Sequence, residues 1–226
     1  PMNLQGKRIV ITGAAGALGR GVSECARALG ADTVLLDLAL PADAPADGSL
    51  RLAVDLGDAS ATRACFAQIG QVDGLFNLAG GFTMGPRTWE VSEDDWAQMY
   101  QINVGTMQNA VRAAVPGMVA RGRGAIVNVG ALGALKGQGH MSAYCAAKSV
   151  VMRLTESLSA ELKHHGINVN AVLPSMIDTP RNRADMPDAD PSLWVSPQDL
   201  GNVICFLGSD AARAIHGALV PVAGLS

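Results

Sequence analysis

Residues 8–19 read Arg8-Ile9-Val10-Ile11-Thr12-Gly13-Ala14-Ala15-Gly16-Ala17-Leu18-Gly19. An apolar run meets glycines spaced three apart, and a helical pattern follows. The order predicts a buried strand, a tight turn and a helix. Gly13 permits the sharp turn, Gly16 leaves room for a pyrophosphate against the main chain, and Gly19 lets the helix pack closely on the sheet. The free N–H groups and positive dipole end of that helix would face the phosphates. Leu18, in the same turn, joins the three glycines as an expected cofactor contact. A glycine triplet alone is a weak signal. Here the strand before it and the helix after it supply the context that a dinucleotide site requires.

Eighteen residues beyond Gly19, Asp37 closes a second apolar run, Thr33-Val34-Leu35-Leu36. An acid at the end of a second strand accepts hydrogen bonds from the adenosine ribose hydroxyls and repels a 2′-phosphate. Ala14, Ala15 and Leu38-Ala39-Leu40 offer no cation to offset that repulsion. The expected cofactor is therefore NAD(H), favoured over NADP(H).

Strand-like runs alternate with helical patterns along the rest of the chain. Strands are predicted at 8–12, 33–37, 51–54, 73–77, 124–129, 167–172 and 218–222. Helices are predicted at 17–29, 59–69, 93–121 with a break near 103, 143–165 and 197–208. Apolar strands separated by helices define an α/β, doubly wound parallel sheet of about seven strands with helices on both faces. Ser92-Glu93-Asp94-Asp95 and Ser196-Pro197-Gln198-Asp199 have the form of capping boxes, the second with proline at the first helical position. Residues 174–195 read as one long irregular stretch, of the kind that forms lids and binding loops.

The chain of 226 residues is 49% hydrophobic and 16% charged, enough apolar material for one large core, so residues 1–226 are read as a single domain. A net charge of −3 gives no electrostatic case for nucleic acid or an anionic membrane as partner. No apolar run approaches a membrane span, and no signal-peptide pattern is present, so the expected location is cytoplasmic. The four cysteines are widely separated, without a C-x-x-C, and read as reduced, mostly buried thiols. No metal site is expected.

Tyr144-Cys145-Ala146-Ala147-Lys148 opens a helix, and four-residue spacing places Tyr144 and Lys148 on one face. A nearby ammonium is expected to stabilise tyrosinate and draw the phenol's pKa toward the working pH. Such a tyrosine can protonate a carbonyl or imine under reduction, or deprotonate an alcohol under oxidation.

Taken together these features resemble the short-chain dehydrogenase/reductase family over nearly the whole chain. The matching residues occur in the family's order: Gly13, Gly16 and Gly19; Asp37; Asp55-Leu56; Asn77-Leu78-Ala79-Gly80; Asn103; Tyr144 and Lys148; and Pro174 through Thr179. The resemblance implies that Asp55 bonds the adenine amino group and Leu56 covers the ring. It implies that Asn77 stabilises the central strands while Ala79 and Gly80 lie against the cofactor. Lys148 would also hold the nicotinamide ribose, and Asn103 would anchor a proton-relay water. Ile177 and Thr179, in the segment begun by Pro174, would hold the carboxamide. Pairing into a homodimer or homotetramer through helices at about 104–121 and 145–163 is implied as well.

The chain departs from the family in two places. Position 17 is Ala where the commonest pattern has Gly, with Gly16 instead. The serine that the family places thirteen residues before the tyrosine is Ala131. Losing such a donor costs on the order of 10²–10³ in rate at comparable oxyanion-stabilising sites. A second similarity bears on that alanine. Residues 171–194, Ala79-Gly80-Gly81-Phe82, Gly130-Ala131 and Gly139 to Tyr144 look like the corresponding stretches of dihydropteridine reductases, which also lack the serine and reduce an electron-poor quinonoid ring. The expected substrate is a small carbonyl or alcohol, or an electron-poor cyclic compound such as a quinonoid dihydropterin. Its contacts are expected from Ala131, Phe82, Met141, Arg181 and Trp194, with 180–194 as the substrate loop. The alternative is a catalytically weak nucleotide-binding sensor or scaffold, motivated by Ala131.

Overall fold

The computed structural model describes residues 2–41 and 46–226. Seven parallel strands form one sheet in the order β3-β2-β1-β4-β5-β6-β7. They are β1 (Arg8–Thr12), β2 (Asp32–Asp37), β3 (Leu50–Ala53), β4 (Gly74–Asn77), β5 (Gly124–Val129), β6 (Ile167–Pro174) and β7 (Leu219–Val222). The strand order reverses direction between β1 and β4, so the connections leaving these strands diverge and open a crevice at their carboxyl ends.

Side-chain alternation assigns the two faces. Ile9, Ile11, Leu35, Phe76, Val127 and Val172 point to one side. There α1 (Ala17–Ala28) and α7 (Pro197–Leu207) cover them. Val10, Val34, Leu36, Leu75, Ile126 and Val169 point to the other. That face is covered by α2 (Ala59–Ile69), α4 (Thr106–Arg121) and α5 (Ser142–Leu162). Each fully buried Leu or Ile contributes about 1.5–3 kcal/mol relative to an exposed one. The helices α1 and α7 cross on glycines: a Cβ on Gly21 would lie 2.6 Å from the Pro197 Cβ, and one on Gly201 3.0 Å from the Cys25 Sγ.

The break expected near 103 is a change of helix type. α3 (Glu93–Tyr100) runs into a π-helical turn, Gln101–Gly105, before α4 begins. The stretch 174–195, expected to be irregular throughout, contains a short helix α6 (Pro180–Asp185) and a 3-10 turn, Pro191–Leu193. The helix is started by the Thr179 hydroxyl, which accepts from the Asn182 N–H, and by Pro180 at the first position. The two boxed starts cap differently from expectation. Ser92 and Ser196 accept from the N–H groups of Asp95 and Asp199. Each serine hydroxyl then donates to its aspartate at 2.8 Å, because the aspartate is too short to reach back to the main chain.

Candidate active site

The glycine turn is shaped as its spacing predicts. Gly13 has φ +63°, and a Cβ there would lie 2.9 Å from the Ala79 main chain. A Cβ on Gly19 would collide with the Gly13 carbonyl. Gly16 is different. A Cβ there meets only the Gly13 carbonyl, at 3.6 Å, so its openness faces the crevice rather than the protein. Gly16 also caps α1 with no side-chain hydrogen bond, and the first turn carries no acid. The first N–H groups of α1 are thus left for an anion.

The crevice has a volume of about 830 Å³. Gly13, Gly16, Leu18, Gly19, Asp37, Asp55 and Leu56 line one part of it, and Ala79, Gly80, Thr179 and Arg181 another. Asp37 is held at the rim, accepting from the Ala15 N–H at 2.9 Å and the Leu38 N–H at 2.7 Å. Asp55 accepts from the Gly57 N–H at 2.8 Å. These features fit a dinucleotide: glycines cleared for close approach, unpaired helix N–H groups, and a carboxylate at the end of β2.

Around Gly80 the chemistry-bearing residues converge. A Cβ built on Gly80 would lie 2.7 Å from Asn103 Oδ1 and 3.4 Å from Lys148 Nζ. Asn103 stands in the π turn, where its Nδ2 donates to the carbonyls of Gly81 and Met99, both at 3.0 Å, and its Oδ1 accepts from the Gly81 N–H at 3.1 Å. Lys148 is 7% exposed and donates to the Val129 carbonyl at 2.9 Å. Burial pushes its pKa down to about 8. Tyr144 is in the first turn of α5, with the Phe82 ring edge-on at 4.9 Å.

The expectation that Lys148 lowers the Tyr144 pKa is corrected. Burial, followed by the adjacent Cys145 thiol, pushes the phenol up to about 12. The Lys148 ammonium is directed at the Val129 carbonyl, so desolvation outweighs it. At neutral pH the tyrosine is a protonated donor.

The substrate-side expectations divide. Phe82 lies on Tyr144. Ala131 is buried in an apolar cluster with Cys145, Met152 and Leu173, against which Met141, Leu132 and Tyr144 pack. Arg181 reaches the crevice, whereas Trp194 is half-buried and does not line it. Ile177 packs into the core, pairs with Val195 as an isolated bridge, and lends its carbonyl to Asn182 Nδ2 at 2.8 Å. Pro174 is buried at the end of β6, in register with Val222. Asn77 lies inside the sheet and donates to Asn128 Oδ1 at 2.9 Å, as a strand-stabilising residue would.

Three neighbouring residues escaped the sequence reading. The Thr12 hydroxyl accepts from the N–H groups of Leu78 and Ala79, at 3.0 and 3.1 Å, and so fixes the loop after β4. Gln101 donates to the Gly57 carbonyl at 2.8 Å, tying the Asp55–Gly57 loop to the π turn. Arg20 lines the crevice and donates to the Ala15 carbonyl at 2.7 Å. Only the Arg20 position, just past the last glycine, carried a local signal. Among the described residues no cluster of metal-ligating side chains is present, and no helix is long and apolar enough to cross a membrane.

A doubly wound parallel sheet with a glycine-turn crevice at its switch point defines a nucleotide-binding α/β protein. The family model described as short chain dehydrogenase matches residues 7–190, and the chain belongs to the short-chain dehydrogenase/reductase family. It is 33% identical to a galactitol 2-dehydrogenase of Rhizobium johnstonii, covering 97% of this chain and 94% of that one. It is 31% identical to the L-xylulose reductase of Homo sapiens, over 98% and 96% of the two chains. A solved structure from Agrobacterium tumefaciens, provisionally named a 2-deoxy-d-gluconate 3-dehydrogenase and holding NADP, superposes with a TM-score of 0.89 at 30% identity, over 99% and 97% of the chains. The protein is accordingly an oxidoreductase of the nicotinamide-using kind.

Proposed function

We propose that the protein is an NAD(H)-preferring reductase of small, electron-poor carbonyl or cyclic imine compounds, with Tyr144 as proton donor. The observation that carries this is the convergence of Asn103 Oδ1 and Lys148 Nζ at Gly80, with Tyr144 one turn earlier on the helix of Lys148. When bound, the nicotinamide supplies or takes the hydride. Gly13, Gly16, Leu18, Gly19 and the α1 N-terminus would hold its phosphates, and Asp37 its adenosine ribose. Asp55 and Leu56 would take the adenine, and Ala79, Gly80, Ile177 and Thr179 the nicotinamide end.

Tyr144 gives its proton to the substrate oxygen or nitrogen. Lys148, an ammonium below about pH 8, stabilises the phenolate that forms. Asn103 holds the loop at Gly81 in place, and it would anchor the proton-relay water that the family resemblance implies. The surroundings of Tyr144 favour an intrinsically electrophilic substrate. Phe82, Ala131, Leu132 and Met141 contribute no O–H or N–H side-chain donor, so Tyr144 must polarise the substrate without the family's serine. Diketones and quinonoid rings, quinonoid dihydropterin among them, accept a hydride under that condition. The named relatives act on polyols and keto sugars, which extends the panel worth testing.

The test follows NADH absorbance against quinonoid dihydropterin, diketones, keto sugars and simple ketones, with wild type and Tyr144→Phe. Turnover in the variant should fall about 10²- to 10⁴-fold, the range of a lost general acid. NADH binding, read by fluorescence, should stay unchanged. Undiminished turnover in Tyr144→Phe would refute the assignment. NADH binding without turnover of any compound would instead support a nucleotide-binding sensor, the reading that Ala131 motivates.

A further inference from the structure

Among the described residues, His140 is the one non-glycine with a positive φ, +63°. A left-handed conformation costs an ordinary L-residue roughly 1–2 kcal/mol, so the surrounding structure must hold it there. Two bonds to Gly85 do so. The His140 carbonyl accepts from the Gly85 N–H at 2.9 Å. The His140 ring Nδ1 lies 2.8 Å from the Gly85 carbonyl, and because a carbonyl only accepts, this nitrogen carries the proton. Gly85 itself sits at φ +136°, which requires glycine. The contact is a two-bond seam between distant loops.

The seam closes a span that is already fixed at its other end. Gly81 is bonded through both its N–H and its carbonyl to Asn103. Phe82, Thr83 and Met84 lie between the two ties, and Phe82 and Met84 remain 48% and 58% exposed. The Phe82 ring meets Tyr144 edge-on. On the other side of the seam, His140 directly precedes Met141, the N-cap of the helix that carries Tyr144.

We propose that His140 is a positioning residue that determines substrate specificity. It staples the 81–85 loop to the start of α5, so that Phe82 stays on Tyr144 and fixes the width of the substrate opening. The specificity role rests on the reductase reading given above; the staple does not.

The test uses His140→Gly, which tolerates the positive φ and removes only the ring, with His140→Asn as a second variant tolerant of that backbone. Hydrogen exchange on the substrate-free protein reads the staple directly: the Gly85 amide, which donates to the His140 carbonyl, should lose protection about ten-fold, and those of 13–19 should not change. Steady-state kinetics with NADH and 2,3-butanedione, or the best carbonyl compound of the panel, reads the role. KM for the carbonyl should rise about five-fold, with kcat within about two-fold and NADH affinity unchanged. Unchanged exchange of the Gly85 amide in both variants overturns the staple. Faster exchange with an unchanged KM, or with NADH affinity lost in step, overturns the specificity role. If wild type turns over nothing, the reductase reading fails and the specificity role falls with it, while the exchange result still judges the staple.

Discussion

At the scale of single residues, Asp37 and Lys148 carry the sharpest consequences. Asp37 is tied to the loop through Ala15 and stands beside Leu38, which is 69% exposed. A 2′-phosphate there would meet the carboxylate; Arg20 and Arg181 are cations that line the same crevice. Asp37→Ala combined with Leu38→Arg should shift the ratio of kcat/KM for NADPH over NADH by about 10- to 10²-fold, the value of one charge-assisted hydrogen bond gained and a repulsion removed. Tighter binding of NADPH than NADH by the unaltered protein would refute the role given to Asp37. The pH profile tests Lys148. Its burial lowers the pKa, so it is charged below about 8 and neutral above. The Tyr144 phenol keeps its proton until about 12 and does not limit the reaction in that range. Reductive kcat should therefore be level on the acid side and fall as the pH passes about 8; a profile that rises there contradicts the assignment. Ala131→Ser adds a donor at the position where the family has one. It should raise turnover of a simple ketone while changing that of a quinonoid substrate little. Equal effects on both would show that substrate chemistry is not tuned at Ala131.

At the scale of elements, the π turn joins two functions. Gln101 ties the turn to the Asp55–Gly57 loop and Asn103 ties it to the loop after β4. Gln101→Ala removes one neutral hydrogen bond and should weaken NADH binding about 2- to 10-fold by fluorescence titration. Unchanged affinity would show that the Asp55–Gly57 loop needs no such support. These elements also show what a sequence can and cannot carry. The β1–turn–α1 unit was legible because its apolar run and its glycines are local signals. The kink near 103 was legible as a break but not as a π turn, because the side-chain ties that hold it reach Gly57 and Gly81, far away in the chain. Thr12 was missed for the same reason, since its partners Leu78 and Ala79 meet it only once the sheet forms. The helix at Pro180 was missed despite a local signal, the pair Thr179-Pro180, because the surrounding prolines suggested a loop. The direction of the Tyr144 shift was misjudged because burial is a property of the folded molecule.

For the whole molecule, the expectation is association. The outer side of α5 leaves Ala146 exposed and Val150, Leu154 and Leu158 half-buried, a small-residue face with apolar neighbours. Light scattering at micromolar concentration should give at least twice the chain mass of 23.3 kDa, and a monomeric mass would refute the pairing. The π turn also bears on how this chain tolerates loss of a residue. A π turn arises when a helix carries one residue more than its regular winding holds. Deleting Val104 would let α3 and α4 merge into one regular helix. The flanking helices would keep their facing, because the π turn takes up the extra residue locally, while residues 101–103 would lose the widened backbone that aims their side chains. The shortened protein would be expected to fold, yet with Asn103 and Gln101 no longer able to reach both of their loops. In genetic terms, this helix is a place where a single-codon deletion removes function while sparing the fold.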